Sequence, residues 1–317
     1  MKKPPGTWAV ADLYPQIVRG ERSVIAIDET ASVEVPGSHP QRVAHVSIMV
    51  SRDRIIGVRQ HMLFLLEQLN EACGAGFFHF SQLYAAKGPY AGLTIEQRLA
   101  ILYAFARLFR TYEIPIWVAQ LDPDTLASAG ENQPESGDAD QDSVRGGMSN
   151  AWGDPVNATR LLALKLAVQY AEQDDAHFPC VAFMDRLHNT LQVGVPVDVV
   201  DGKSVPSFAQ LDPPGLVADY AVRNIFIQLA DFAAWSYSRL ELLVSRMPFE
   251  KPLDEMTFAL LRKILRCHQI YPSFVDKWDD LWVSEDPPFR PSRFRFHAEW
   301  GGERVDPPKL IEVPSPT

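Results

Sequence analysis

The sequence predicts an α/β fold, a mixed sheet flanked by helices, with a helical extension at the C-terminal side. Short β-branched, apolar runs alternate with longer segments of helical period. Two of those runs, SVIAID at 23–28 and CVAFMD at 180–185, share one form, a buried strand ending in an acid. The 317 residues are 46% hydrophobic, enough apolar material for a large core.

The elements follow in order. SVIAID reads as a strand whose C-terminal end carries Asp28 and Glu29, and RVAHVSIMV (42–50) as a second strand. From Ile55 to Leu69, apolar residues fall at helical spacing. Gly74 and Gly76 break the chain, and GFFHFSQLY then reads as a short strand passing into a loop. Thr94, with Gln97 three residues on, forms a capping-box pattern ahead of a well-buried helix through LAILYAFARLFRTY. IPIWVAQL (114–121) reads as a strand. Asp154 and Pro155 open the helix carrying LLALKLAVQYAEQ, and a further helix runs on from Asn224.

Residues 128–150 are polar, acidic and glycine-rich, and predict a mobile loop inserted within the fold. The expected division is therefore one domain over 20–245 and a C-terminal extension over 246–317 packed on it.

Composition narrows the function classes. No run of about 18 apolar residues is present, so no membrane partner is expected. MKKPPGTWAV has two prolines and no apolar core, unlike a secretory signal. Cys73, Cys180 and Cys267 lie far apart without a CxxC pair, which predicts free thiols and a cytoplasmic location. The net charge of −10 argues against broad, sequence-blind nucleic-acid binding but allows a local basic patch. It also suits a site that gathers carboxylates around a cation.

Such a gathering is the main functional signal. Asp28 with Glu29, and Asp185, sit at strand ends, where ligands collect in α/β sheets. Asp231 lies within the apolar helix segment QLADFAAW, where an ionised carboxylate is costly unless compensated. Together these acids suit Mg²⁺ or Mn²⁺, which prefer oxygen ligands. Each acid alone has an ordinary account as a turn residue, a cap or a solvent-edge position.

IDET (27–30), FHFSQLYAAKG (78–88), FMD (183–185) and QLADFAAW (228–235) occur in that order. In these motifs the chain resembles the DUF 3800 family, a set of mostly bacterial and phage proteins. The resemblance covers roughly residues 23–240. It implies a ribonuclease H-like fold and metal-dependent phosphodiester hydrolysis, with Asp28, Glu29, Asp185 and Asp231 as ligands. Thr30 and Ala31 stand where the family usually has Ser-Gly, which predicts a tighter turn after the acids. Arg186 stands where a second carboxylate is common.

Other residues join this site as expectations. His79, between two phenylalanines, is a candidate catalytic group or a structural histidine. Lys87 is a candidate phosphate contact or an exposed loop residue. Gln228, about one helical turn before Asp231, is a candidate to orient it or to meet substrate. Arg290, Arg293 and Arg295 interleave with Phe289, Phe294 and Phe296, a pattern that fits either nucleic-acid contact or an edge strand. The leading expectation is a nuclease or phosphodiester hydrolase using Mg²⁺ or Mn²⁺, with nucleic acid as partner. One rival is an inactive ribonuclease H-like binding or regulatory protein linked to phage defence or mobile elements. Another is a hydrolase of a small phosphorylated molecule. Oligomeric state is not set by the sequence.

Overall fold

The computed structural model describes residues 10–31, 43–121, 155–185, 197–200, 203–206, 208, 210–246 and 248–265. In chain order the elements are α1 (Val10–Val18), β1 (Ser23–Ala31), β2 (Val43–Val50), α2 (Ile55–Cys73), α3 (Phe80–Tyr84), α4 (Ile95–Thr111), β3 (Ile116–Leu121), α5 (Pro155–Ala171), β4 (Cys180–Asp185), β5 (Val197–Val200), β6 (Lys203–Pro206), β7 (Leu211–Asp219), α6 (Ile225–Ser245) and α7 (Pro252–Leu265). The expected α/β class is the class observed. One sheet has the order β3-β2-β1-β4-β7, and β5 and β6 pair separately. β2 runs antiparallel to both neighbours, while β1, β4 and β7 run parallel.

β1 is apolar from Val24 to Ile27 because both faces of the sheet are covered there. Alternation sends Val24 and Ala26 to one face, where they join Val46, Phe183, Leu229 and Phe232. Ile25 and Ile27 go to the other, with Trp117, Ala182, Leu164 and Val168. Thus α6 covers the first face and α5 the second. Each fully buried aliphatic chain contributes about 1.5–3 kcal/mol, so the two layers hold the sheet from both sides. His45, on the α5 face, hydrogen-bonds Thr159 through Nδ1 at 2.7 Å. Burial, helped by the nearby Arg160, pushes its pKa down to about 3, so it sits there neutral.

Several expected local features are present. The Thr94–Gln97 capping box forms, with Gln97 N–H donating to Thr94 Oγ1 at 3.2 Å and Thr94 N–H to Gln97 Oε1 at 2.9 Å. Asn224 caps α6, its Oδ1 accepting from the amides of Phe226 and Ile227. Cys73 and Cys180 are free thiols. No helix among the described residues is long and apolar enough to cross a membrane.

Other features differ. β1 does not end at its acids but continues to Ala31, pairing Glu29 with His45 and Thr30 with Ala44. A β-branched Thr30 favours that extension over a turn. The segment after Gly76 is not a strand. Phe78 donates its amide to a side chain, Gln228 Oε1, and Phe80–Tyr84 closes into a helical turn. Neither α1 nor β7 was expected. Leu13 and Ile17 of α1 are buried in the α6-side core, so the folded unit starts before residue 20. β7 carries Pro-Pro-Gly, and its register against β4 shifts between Cys180 and Ala182, where the extra residues form a bulge. The 128–150 loop, the Asp154 cap, Cys267 and the PPFRPSRFRFH segment lie outside the described residues.

The described part of the C-terminal extension is bound to the domain. α7 packs against α6 and α4. Its buried Asp254 accepts from the Tyr84 hydroxyl and from Arg239 Nη2, the latter at 3.3 Å. The Arg239 guanidinium lies 3.8 Å from the Tyr84 ring centroid. Asp254→Ala leaves Arg239 without its counter-charge in a mostly desolvated place. We expect a loss of about 3 kcal/mol in urea unfolding, near the cost of stranding a buried partner charge. A change below about 0.5 kcal/mol means that α7 is not integral to the fold.

Candidate active site

The strand register brings the acids into one row. Ile27 pairs with Met184 across β1 and β4, so Asp28 and Asp185 are next in step. Asp185 in turn pairs with Asp219 across β4 and β7. In parallel strands, residues in one row share a face. Asp28 follows Val24 and Ala26 in parity, Asp185 follows Val181 and Phe183, and Asp219 follows Val217, all on the α6 side. Asp231 projects from α6, which packs on β1, β2 and β4.

The electrostatics register this convergence. The Asp28 pKa stands well above the usual carboxylate range. Burial is the main cause, followed by the charge of Asp231 and then, more weakly, that of Asp185. The backbone amide of Glu29, hydrogen-bonded to the Asp28 carboxyl, opposes the shift only in part. Asp28, Asp185 and Asp231 are all partly exposed, so the cluster is open to solvent.

Asp219 shares the row but not the environment. It is fully buried and accepts from the Tyr14 hydroxyl at 2.9 Å, Arg223 Nε at 3.0 Å and Asn224 Nδ2 at 3.1 Å. Its charge is compensated, so it is a structural anchor. Sequence reasoning missed it. LVAD (216–219) repeats the apolar-run-to-acid pattern, but Pro-Pro-Gly just before it reads as a turn.

His79 joins the cluster because its neighbours are held. Phe78 and Phe80 are buried against Phe105, and Phe80 also packs on Phe232. The His79 amide donates to the Tyr90 hydroxyl at 3.1 Å, and that hydroxyl donates to the Phe77 carbonyl at 2.7 Å. His79, between the two anchored rings, is 40% exposed, with Nδ1 3.9 Å from Asp231 Oδ2. That is an ion-pair distance, too long for a hydrogen bond. The Asp231 carboxylate raises the His79 pKa.

Two expected roles change. Glu29 alternates to the α5 face, opposite the three aspartates, and is exposed, so it does not complete their set. Gln228 is 1% exposed. Its Oε1 accepts from Phe78 N–H at 3.0 Å, and its Nε2 donates to the Ala221 carbonyl at 2.8 Å. With both ends of the amide on backbone, it cannot turn to substrate; it positions the segment that carries His79. Lys87 is exposed just before the 3₁₀ turn Gly88–Gly92. Arg290, Arg293 and Arg295 lie outside the described residues. Among the described residues, no three His, Cys, Asp or Glu side chains gather closely enough to hold a metal ion as they stand. Asp185 is turned partly to protein, its Oδ1 accepting from Ala221 N–H at 3.3 Å.

Two substitutions probe this arrangement. Asp28→Asn removes a charge that burial and its neighbours disfavour. The raised pKa means that native Asp28 contributes stability while protonated and loses it as pH rises through the folded-state pKa. The variant is therefore expected to melt higher than wild type, without metal, at pH 8, with the gain shrinking as pH falls. A lower midpoint at pH 8 contradicts the electrostatic picture. Gln228→Leu leaves the Phe78 amide and the Ala221 carbonyl without their partner, at about 2–4 kcal/mol in chemical denaturation. The His79 titration, followed by NMR, should then move back toward that of a free imidazole; an unmoved titration shows that Gln228 does not position it. Comparisons with protein-family models, curated proteins and solved structures find no match to this chain.

Proposed function

We propose that the chain is a divalent-metal-dependent phosphodiester hydrolase, in particular a nuclease, built on a ribonuclease H-like fold. One observation carries the reading. Asp28 and Asp185 share a row and a face of the parallel strands β1 and β4, Asp231 projects from the helix packed over that face, and the charges of Asp231 and Asp185 add to burial in raising the Asp28 pKa. Carboxylates held in that way are stabilised by a cation. The mixed sheet with helices on both faces supports the fold assignment in outline. The motif resemblance points the same way.

Asp28, Asp185 and Asp231 would hold Mg²⁺ or Mn²⁺, and would have to draw closer together than they stand to do so. When bound, the ion supplies a Lewis acid and an activated water at the phosphorus. His79 has its own part. Half-exposed beside Asp231, with Nδ1 3.9 Å from Asp231 Oδ2, it is placed to pass a proton to the departing oxygen. A rival reading, a binding or regulatory protein that keeps the fold without metal, is favoured by the spread of the acids among the described residues.

A Mn²⁺ titration followed by thermal unfolding tests the proposal. Wild type should gain about 2.7 kcal/mol at a hundred times the dissociation constant. Asp28→Asn and Asp231→Asn should lose most of that gain. Cleavage of a polynucleotide, compared with that of a small phosphodiester, then separates a nuclease from a small-molecule hydrolase. An equal Mn²⁺ response in all three proteins, or none in wild type, rules out the metal site.

A further inference from the structure

The turn from β7 into α6, residues 220–223, is exposed in its side chains and tied down in its backbone. Tyr220 and Val222 are 38% and 51% exposed, among the few large apolar side chains that the described residues show to solvent. The Arg223 side chain is 61% exposed. Beneath them, Arg223 and Asn224 donate their amides to the Tyr220 carbonyl at 3.1 and 3.0 Å. Ala221 N–H donates to Asp185 Oδ1 at 3.3 Å, and the Ala221 carbonyl accepts from Gln228 at 2.8 Å. Arg223 Nε is fixed on buried Asp219, and its guanidinium lies 4.9 Å from the Tyr220 ring centroid.

This chemistry is not what a connecting turn needs. Turns are commonly built from Gly, Pro, Asn, Asp and Ser, chosen for backbone conformation and solubility. Here an aromatic ring, a branched aliphatic chain and a guanidinium, each more than a third exposed, are carried on an ordered backbone. Groups ordered before binding lose little further entropy when a ligand arrives. The turn also touches the acidic cluster directly, because its backbone hydrogen-bonds Asp185. The turn thus adjoins Asp185.

We propose that this turn is a substrate grip, with Tyr220 stacking on an unpaired base and Arg223 meeting the adjoining phosphate. The inference rests on the nuclease reading and names its substrate class, single-stranded nucleic acid. An unpaired base offers a free ring face for stacking, which the stacked interior of a duplex does not, so a single strand suits Tyr220 better. The charge of −10 favours the same choice. A protein that repels polyanions overall gains little from counterion release and must draw its affinity from stacking.

The test uses the full chain in Ca²⁺, with fluorescence anisotropy of a labelled single-stranded oligonucleotide and of its duplex. Cleavage of the same strand by wild type in Mn²⁺ is measured separately. The wild type should bind the single strand more tightly than the duplex. Tyr220→Ala should weaken single-strand binding about 5- to 150-fold, and Tyr220→Leu similarly, the range expected for one lost base stack. Tyr220→Phe, which keeps the ring, should bind within about twofold of wild type, and this rescue excludes a merely structural effect. If wild type cleaves the strand but Tyr220→Ala binds it as tightly as wild type, the grip is wrong and the nuclease reading stands. Equal losses in the Phe and Ala variants also overturn it, since they assign the effect to the hydroxyl. If wild type neither binds nor cleaves any strand, both readings fall.

Discussion

The parallel pairing of β1, β4 and β7 is the constraint on which the rest of the molecule depends. Side chains alternate along a strand with a period of two, so a slip of one residue would send every acid to the opposite face. The register is held by apolar residues far from the site. Val24 to Ile27 in β1 and Cys180 to Phe183 in β4 are buried from both sides, and a slip would exchange their fitted contacts on α5 and α6. Packing energy spent on the core thus sets the positions of carboxylates that, taken alone, repel one another.

Within that row, the environment assigns each acid its role. Asp219 is surrounded by Tyr14, Arg223 and Asn224 and bears a compensated charge. Its neighbour Asp185 accepts from the Ala221 amide at 3.3 Å through one oxygen and has contacts elsewhere. Asp28 is met by like charges. The same residue type at the same strand level therefore makes an anchor in one case and a charge-strained group in another. Partners, and not burial alone, decide the difference. The anchor also serves the site, since Arg223, held by Asp219, begins at the turn that touches Asp185.

α6 links these features to the other half of the site. Its apolar surface packs on the sheet, and Asp231 interrupts that surface at a partly exposed position. One turn earlier, Gln228 joins the helix to two separate loops through backbone hydrogen bonds. One of those loops carries His79, which explains why a histidine distant in sequence stands beside Asp231. The Phe-His-Phe order completes the device, because rings buried on either side direct the imidazole outward.

The sequence by itself determined the local elements. Period and composition are local properties, and they were sufficient for β1, β2, β3, β4, α2, α4 and α6 and for the capping box. Tertiary structure decided what depends on contacts between distant residues. β7 is a strand because β4 offers it an open edge, even though Pro-Pro-Gly reads locally as a turn. α1 is recognisable only through the core that accepts Leu13 and Ile17. Glu29 leaves the site because β1 continues past it, and alternation within an extended strand then turns it away. Gln228 proved to be a brace, since hydrogen bonds to Phe78 and Ala221 join chain segments that no local pattern relates.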